Sequence, residues 1–496
     1  MRERVILRIE KMRRPKIDLP STLKAIVEKN TGEEMETKLC EGIDKLTYKD
    51  PNIIMQTRRY KLITPLFGGG VEAGINDDLT PISGKAIRGH LRFWWRATCG
   101  VGTVDEMKKA EEAIWGAAST KNKKMPSMVI VEILEIIKKE KKKEPAFTNT
   151  RNSKGKLEPK PSNSIAQYVA FPLLPDKDER KNPKWTSSEV WSEIEFTIQL
   201  KYPKEVKFEI EDEIFEIIDI ETEINSALWV WGTFGGIGAR TRRGFGALQL
   251  LEIDGKEQKT KTVDEFKQSI RKELTKQLAK GKWDNDVPHL LPNSLIAFTK
   301  NRKSDPIKAW KELIDKLQDF RQSPRVQREF KFSGRSNWSE PDAIRRMTTN
   351  AIFRPPEHPV NNKFPRAVFG LPIGFKFKDE DKNDPPETFL EGREKSENKS
   401  GISRLASPLI LRPIACSDGA IGLALILQST RIPPEGVYLY YKTGRRKVAA
   451  NSVEVTLTSG EAKNIYPIEK QLTKLGTISH NDPDLVLKAF LKYVEE

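Results

Sequence analysis

One run constrains this chain more than any other: Trp231-Gly-Thr-Phe-Gly-Gly-Ile-Gly-Ala-Arg-Thr-Arg-Arg-Gly-Phe-Gly-Ala-Leu248. It holds six glycines and three arginines. Glycine has no Cβ, so the backbone can turn sharply and another group can approach closely. Arginine presents a planar fork of five donors that matches phosphate. A helical apolar pattern precedes the run, and Leu248–Ile253 reads as a strand after it. The chain must therefore pass from helix to strand through a flexible, cationic loop, which points to a polyanion. A P-loop is excluded, because that motif follows a strand and ends in Gly-Lys-Ser/Thr. The plain alternative is a basic surface turn.

The overall charge agrees with a polyanion. Lys and Arg number 86 against 70 Asp and Glu, a net charge of +16. Such a balance favours nucleic acid but says nothing about the fold. Part of the excess is solvated lysine, as in Lys138–Lys143. The three cysteines, Cys40, Cys99 and Cys416, have neither disulfide nor zinc spacing. A reducing cytoplasm, no metal and no cofactor are the expectation. The sequence shows no apolar run of membrane-spanning length and no secretory signal, so no membrane partner is expected.

At 496 residues the chain has room for two or three domains. Residues 1–55 are charged and offer no core, and read as an N-terminal extension. A strand is expected over 57–67 and a helix over Ile82–Cys99. On that helix Ile87, Leu91, Trp94 and Thr98 share one face. Lys85, Arg88, Arg92 and Arg96 share another, within an arc of about 80°. Like charges at this spacing repel, and an anion would relieve them. Trp94 is expected in the core; Trp95, beside the stripe, is either core or a ring that stacks on a base. Further strands are expected over 128–136, 191–200 and 248–253, with a helix over 209–232 and a mobile insertion over 138–165. The order β-α-β-β-α-β is that of a ferredoxin-like domain. Beyond it come helices at 263–278 and 306–320, a helix start at Ser339, a disordered loop at 378–400, apolar strands at 403–413 and 420–427, and a closing helix at 482–496.

These motifs resemble a known family. Phe234–Gly246 is similar to the glycine-rich loop of the RAMP superfamily of CRISPR proteins. Thr64-Pro-Leu-Phe-Gly-Gly69 and Ile87-Arg-Gly-His-Leu-Arg-Phe-Trp-Trp-Arg96 resemble the first-subunit family of the Cmr complex, the type III-B RNA-targeting effector. Blocks at 338–346, 364–372 and 404–408 resemble that family's C-terminal half. The resemblance implies an α+β chain of two tandem ferredoxin-like (RRM-like) domains, 56–255 and 331–496, with the glycine-rich loop at 232–246, a helical insertion at 256–330 and disordered insertions. It implies a non-catalytic RNA-binding subunit at the end of a ribonucleoprotein, near the 3′ end of the guide RNA, that helps capture target RNA in antiviral defence. Partners would be guide and target RNA and other Cmr subunits, with target cleavage belonging to the repeated backbone subunit.

The candidate RNA contacts are therefore Lys85, Arg88, Arg92, Trp95 and Arg96 on the helix. Gly235, Gly236, Gly238, Arg240, Arg242 and Arg243 come from the loop, and Arg345, Arg346, Arg366 and Arg404 from the later blocks. The competing reading is an endoribonuclease acting through Asp77 and Asp78 or through His90. Against it, Asn-Asp-Asp is an ordinary turn, and the four histidines (His90, His289, His358 and His480) lie in unrelated contexts.

Overall fold

The computed structural model describes residues 52–70, 77–78, 80–118, 125–138, 143–153, 155, 157–176, 178–182, 184–211, 214–323, 336–347, 360, 363–377, 385–393, 404–443, 446–476 and 481–496. The N-terminal extension, the Ser339–Glu340 surroundings before 336, and His358 and His480 thus lie wholly or partly outside the described residues.

The first half runs β1 (Ile53–Leu62), α1 (Gly84–Thr98), α2 (Val104–Trp115), β2 (Ile130–Ile137), β3 (Lys143–Pro145), β4 (Phe147–Arg151), β5 (Leu157–Pro161), β6 (Glu189–Trp191), β7 (Glu195–Pro203), β8 (Glu205–Glu211), β9 (Ile214–Asp219), α3 (Ile220–Phe234), β10 (Leu248–Ile253), β11 (Lys256–Glu257) and α4 (Val263–Lys276). Five of these strands form one sheet in the order β11-β10-β1-β7-β2. The alternation of β7 explains its two faces: Phe196, Ile198, Leu200 and Tyr202 are buried, while Glu195, Thr197, Gln199 and Lys201 are half-exposed. Helices α1 and α3 pack together and contact the sheet. Ser83 caps α1 by accepting from the Ala86 N–H, and Asp219 caps α3 by accepting from the Thr222 N–H.

The second half runs β12 (Ile296–Phe298), α5 (Pro306–Gln322), α6 (Glu340–Met347), β13 (Ile373–Phe375), β14 (Thr388–Gly392), β15 (Leu409–Cys416), β16 (Gly419–Ile426), β17 (Val437–Thr443), β18 (Arg446–Val453), α7 (Ser459–Ala462), α8 (Tyr466–Leu472) and α9 (Leu485–Val494). One sheet has the order β12-β16-β15 and another β13-β14-β17-β18. The β15–β16 hairpin is apolar without alternation because both its faces are covered. Ile410, Ile414, Ile421, Leu423 and Leu425 join the core of the first sheet, whereas Leu409, Leu411, Ala424 and Ile426 join the core under α5 and α9. One hairpin thus separates and joins two cores, and residues 54–496 form one compact unit.

Four expectations are corrected. The helix expected over 209–232 starts only at Ile220; the acidic stretch before it is the β8–β9 hairpin. Its sequence alternates with period two from Val206 onward, and that pattern prevails over the helical spacing. The stretch 138–165, expected to be mobile, contributes Ala146, Phe147 and Ile165, each at most 2% exposed. The helical insertion 256–330 is not separate from the second half: β12 pairs with β16, and α5 packs on β15 and β16. Within the loop expected at 378–400, residues 388–392 pair with β17 as β14. Polar composition hid these strands, because a short strand in the middle of a charged stretch carries little periodic signal.

If the 143–166 region is part of the core, Phe147→Ala should cost about 3–5 kcal/mol in denaturant unfolding. A loss below about 1 kcal/mol would mark the region as peripheral.

Candidate nucleic-acid interface

The glycine–arginine loop is laid against the segment that follows β1. The Ala239 N–H donates to the Phe67 carbonyl and the Gly246 N–H to the Pro65 carbonyl, at 2.9 and 2.8 Å. Thr64 ties both strands together: its hydroxyl donates to the Gly244 carbonyl and accepts from the Ala247 N–H. The Trp231 indole donates to the Gly236 carbonyl at 2.9 Å. The glycines serve this close packing. A Cβ at Gly235 would stand 2.6 Å from the Trp94 indole nitrogen, and one at Gly238, where φ is +84°, would collide with Leu66. Gly235 and Gly236 are buried. Their expected role, letting a phosphate approach, is corrected: what approaches is the protein's own backbone and side chains.

The loop arginines divide their donors. Arg242 donates to the Ser407 carbonyl at 2.6 Å, and Arg243 to the Leu409 carbonyl at 2.7 Å. Trp310, from α5, donates to the Arg243 carbonyl at 2.7 Å. The loop is thus clamped to the second half of the chain. Arg240, in the left-handed region at φ +56°, lies over the Phe171 ring at 4.5 Å, and Arg242 lies over Phe93 at 5.2 Å. Burial draws the Arg243 guanidinium down to about 9, and Arg321, Arg240 and Arg242 push the same way. Burial also lowers Arg240, Arg242 and Arg321. Among the described residues none of these four makes an ion pair with a carboxylate. The group remains cationic at neutral pH and is short of negative charge.

The helix stripe is less free than its sequence implied. Arg92 and Arg96 both bind the carboxylate of Glu111 on α2, which is 6% exposed. The anion that relieves their repulsion is internal. Lys85 and Arg88, one turn earlier, make no ion pair among the described residues. Trp95 is core: it is 1% exposed and its indole donates to Glu223 at 2.6 Å. It offers no face to a base. Phe171, 61% exposed beneath Arg240, does.

The later arginines also turn inward. Arg366 pairs with the fully buried Glu340, and donates to the Arg321 carbonyl at 2.8 Å. Arg345 is 9% exposed and pairs with Asp342. Arg366 holds α6 in place through Glu340, while Arg345 pairs within α6 and lies over the Phe377 ring at 4.7 Å, which corrects their assignment as RNA contacts. Arg346 is half-buried at the end of α6, and Arg404 is exposed. Of the nuclease candidates, Asp77 accepts from the Thr80 N–H and hydroxyl, and Asp78 pairs with Lys143 at 2.8 Å. His90 is half-buried, and burial lowers its pKa. His289 is buried and stacks on Trp283, far from them in sequence. Among the described residues no three His, Cys, Asp or Glu side chains gather as metal ligands, and no helix is long and apolar enough to cross a membrane.

Arg412 escaped the sequence reading. It is 1% exposed, on β15, and donates to the carbonyls of Gly232, Gly235 and Leu248 at 3.0, 2.8 and 2.7 Å, with its Nε directed at the Pro413 carbonyl. Burial lowers it to about 9. Phe93, Phe171 and Arg321 were missed as well. A lone arginine or phenylalanine carries no spacing signal; only the tertiary contacts select them.

A mixed α+β chain with a clamped glycine-rich cationic loop is the class that the geometry defines. Residues 59–249 match the RAMP superfamily model. It is similar to the CRISPR system Cmr subunit Cmr1-2 of Pyrococcus furiosus, with 27% identity over 193 residues, 38% of this chain and 90% of that protein. The crystal structure of Cmr1 from Pyrococcus furiosus in its apo form aligns with 83% of this chain and 96% of its own, at 15% identity and a TM-score of 0.39. A chain of the type III-B Cmr-beta complex bound to cognate target RNA aligns with 76% of this chain and 96% of its own, at 13% identity and a TM-score of 0.41.

Arg412→Ala leaves three carbonyls, two of them buried and one half-buried, without this donor, so a loss of about 3 kcal/mol or more is expected in denaturant unfolding. Arg412→Lys should fail to restore it, since an ammonium cannot span the same acceptors. Full rescue by lysine would show that charge rather than the fork matters.

Proposed function

We propose that this chain is a non-catalytic RNA-binding subunit of a type III-B CRISPR (Cmr) ribonucleoprotein. The observation that carries the reading is the loop cluster: Arg240, Arg242, Arg243 and Arg321 act on one another, none of them ion-paired to a carboxylate among the described residues, beside the exposed ring of Phe171. Assembling four guanidiniums in a partly dry setting is unfavourable until an anion arrives. A sugar–phosphate backbone supplies spaced anions and bases that stack on an aromatic ring. Lys85 and Arg88 extend the basic surface along α1. Such contacts bind backbone rather than sequence, as suits a protein whose specificity comes from guide pairing.

The similarity to a Cmr subunit supports other Cmr subunits as partners, and the basic cluster supports guide and target RNA; in this proposal the chain lies in the cytoplasm, near the guide 3′ end. The strand order of the first sheet supports a ferredoxin-like first domain: beside the two-residue edge strand β11, the strands β1, β2, β7 and β10, in chain order, are arranged fourth-first-third-second. In the second half, β12, β15 and β16 with α5 and α9 follow the same plan without a fourth strand. The face of the first sheet turned away from α1 and α3 is polar and ion-paired, with Arg59 bound to Glu195 and Glu252 and Lys201 to Glu132. RNA would therefore be held at the loop and not on an aromatic sheet platform. Cleavage is assigned elsewhere, because the carboxylates of Asp77 and Asp78 are spent on a turn and a lysine.

The test is RNA affinity against salt. Arg88→Ala and Arg240→Ala should each lower the slope by about 0.7 for a single strand, and Phe171→Ala should weaken binding with the slope unchanged. Arg366→Ala should reduce stability and leave the slope alone. Unchanged slopes in both Arg88→Ala and Arg240→Ala would sink the loop and helix as the interface. Cleavage of RNA by the purified chain, lost in Asp77→Ala, would overturn the non-catalytic reading.

A further inference from the structure

Eleven large apolar side chains are exposed among the described residues, and four of them fall on one short stretch. They are Met128, Ile130, Leu134 and Ile137, at 43, 50, 52 and 44% exposure. Apolar residues exposed singly need no explanation, whereas a row of them marks an interaction surface.

The row runs along β2, the last strand of the five-stranded sheet. β2 pairs with β7 on one side, and no strand among the described residues pairs with its other side. Val131, Ile133 and Ile136 turn to the core, where α1 contacts the strand. Ile130, Glu132, Glu135 and Ile137 are exposed on the opposite face. A bulge between Ile133 and Glu135 takes Leu134 out of this alternation and leaves it in solvent. Folds normally cover or blunt such an edge, because its free N–H and C=O groups invite another strand. Here α1 begins against the Val131 carbonyl, where a Cβ on Gly84 would stand at 2.3 Å. The helix closes that end of the edge, and the stretch beyond the bulge stays open.

The surroundings are acidic in a chain whose net charge is +16. Glu132 is bound by Lys201 at 3.0 Å, while Glu135 is exposed and makes no ion pair among the described residues. β7 leads directly into β8, and the stretch Glu205–Glu223 holds nine Asp or Glu and one Lys. Helix α2, whose Ile114 carbonyl accepts from the Met128 N–H at 2.9 Å, packs on β8. Apolar side chains beside unpaired carboxylates repel phosphate and suit a cationic protein segment. A second copy of this chain fits poorly. The antiparallel register that sets Ile130 on Ile137 and Val131 on Ile136 also sets Glu132 on Glu135, and like charges directly opposite destabilise a strand pair.

We infer that the open edge of β2 takes up an extended segment of another protein, one that alternates apolar with basic residues. Its apolar side chains cover Leu134 and Ile137, and a cation meets Glu135. Main-chain pairing supplies the affinity and the alternate side chains the selectivity. The surface shares no residue with the arginine cluster, so the inference stands apart from the RNA reading.

The probe is a fluorescein-labelled heptapeptide alternating valine with lysine, titrated with the full chain and followed by fluorescence anisotropy. Its comparators are the same residues in block order, a peptide alternating valine with glutamate, and the first peptide with a central proline. Saturable binding of the alternating valine–lysine peptide, and of none of the comparators, is expected. Leu134→Asn should weaken it about tenfold and Glu135→Gln about threefold. Both side chains are exposed, so neither change should lower the melting temperature. Arg240→Ala should leave peptide binding unchanged. No saturation at about 1 mM overturns the inference, as does equal binding of any comparator or indifference to both β2 variants. A dimer in sedimentation velocity that Leu134→Asn dissolves assigns the edge to a second copy and overturns it as well.

Discussion

The molecule depends on one buried cation. Arg412 leaves β15, crosses between the two cores, and occupies the carbonyls at the end of α3 and at the start of β10. A helix C-terminus has carbonyls with no partner in the helix, and its dipole places negative partial charge there. A guanidinium answers both needs at once. Its cost is desolvation, visible in the lowered pKa, and the acceptors it reaches offset that cost. Because the acceptors flank the glycine–arginine loop, the same contact sets where the loop begins and ends. The loop is therefore as much a joint between the halves of the chain as a surface for ligand.

That joint changes how its glycines and arginines are understood. Each loop glycine that would clash with a Cβ clashes with protein: Leu66, Trp94, Trp231, Ile237, Gly246 or Trp310. Arg242 and Arg243 spend part of their donors on Ser407 and Leu409. What survives as a binding surface is charge rather than open backbone. Several guanidiniums stand close together because tertiary contacts force them to, and none is matched by a carboxylate among the described residues. A phosphate chain lowers the energy of such a cluster more than it would that of separate surface lysines, because the local dielectric is lower.

The sequence was most legible where one element obeys one period. On α1 the spacing of Ile87, Leu91, Trp94 and Thr98 placed the buried face correctly. The strand Leu248–Ile253 and the helix from Pro306 were also read at or near their true bounds. Legibility failed where a partner distant in sequence decides. Glu111 neutralises Arg92 and Arg96, and Glu223 captures the Trp95 indole; neither carboxylate is marked by its own surroundings in the chain. The same holds for Glu340, which turns Arg366 from a candidate RNA contact into a buried brace.

By itself, the sequence determined the basic balance, the helix–loop–strand passage and the order of strands β1, β2, β7 and β10 with helices α1 and α3, since these rest on local conformational preference and on charge count. Tertiary structure alone decided which cations remain available. An arginine binds whichever acceptor its fork reaches first, and that is set by the packing of helices and strands many residues away. Thus Arg96 and Arg366 became internal, Arg240 stayed over an open ring, and Arg412, one arginine in an apolar strand, became the pin of the fold.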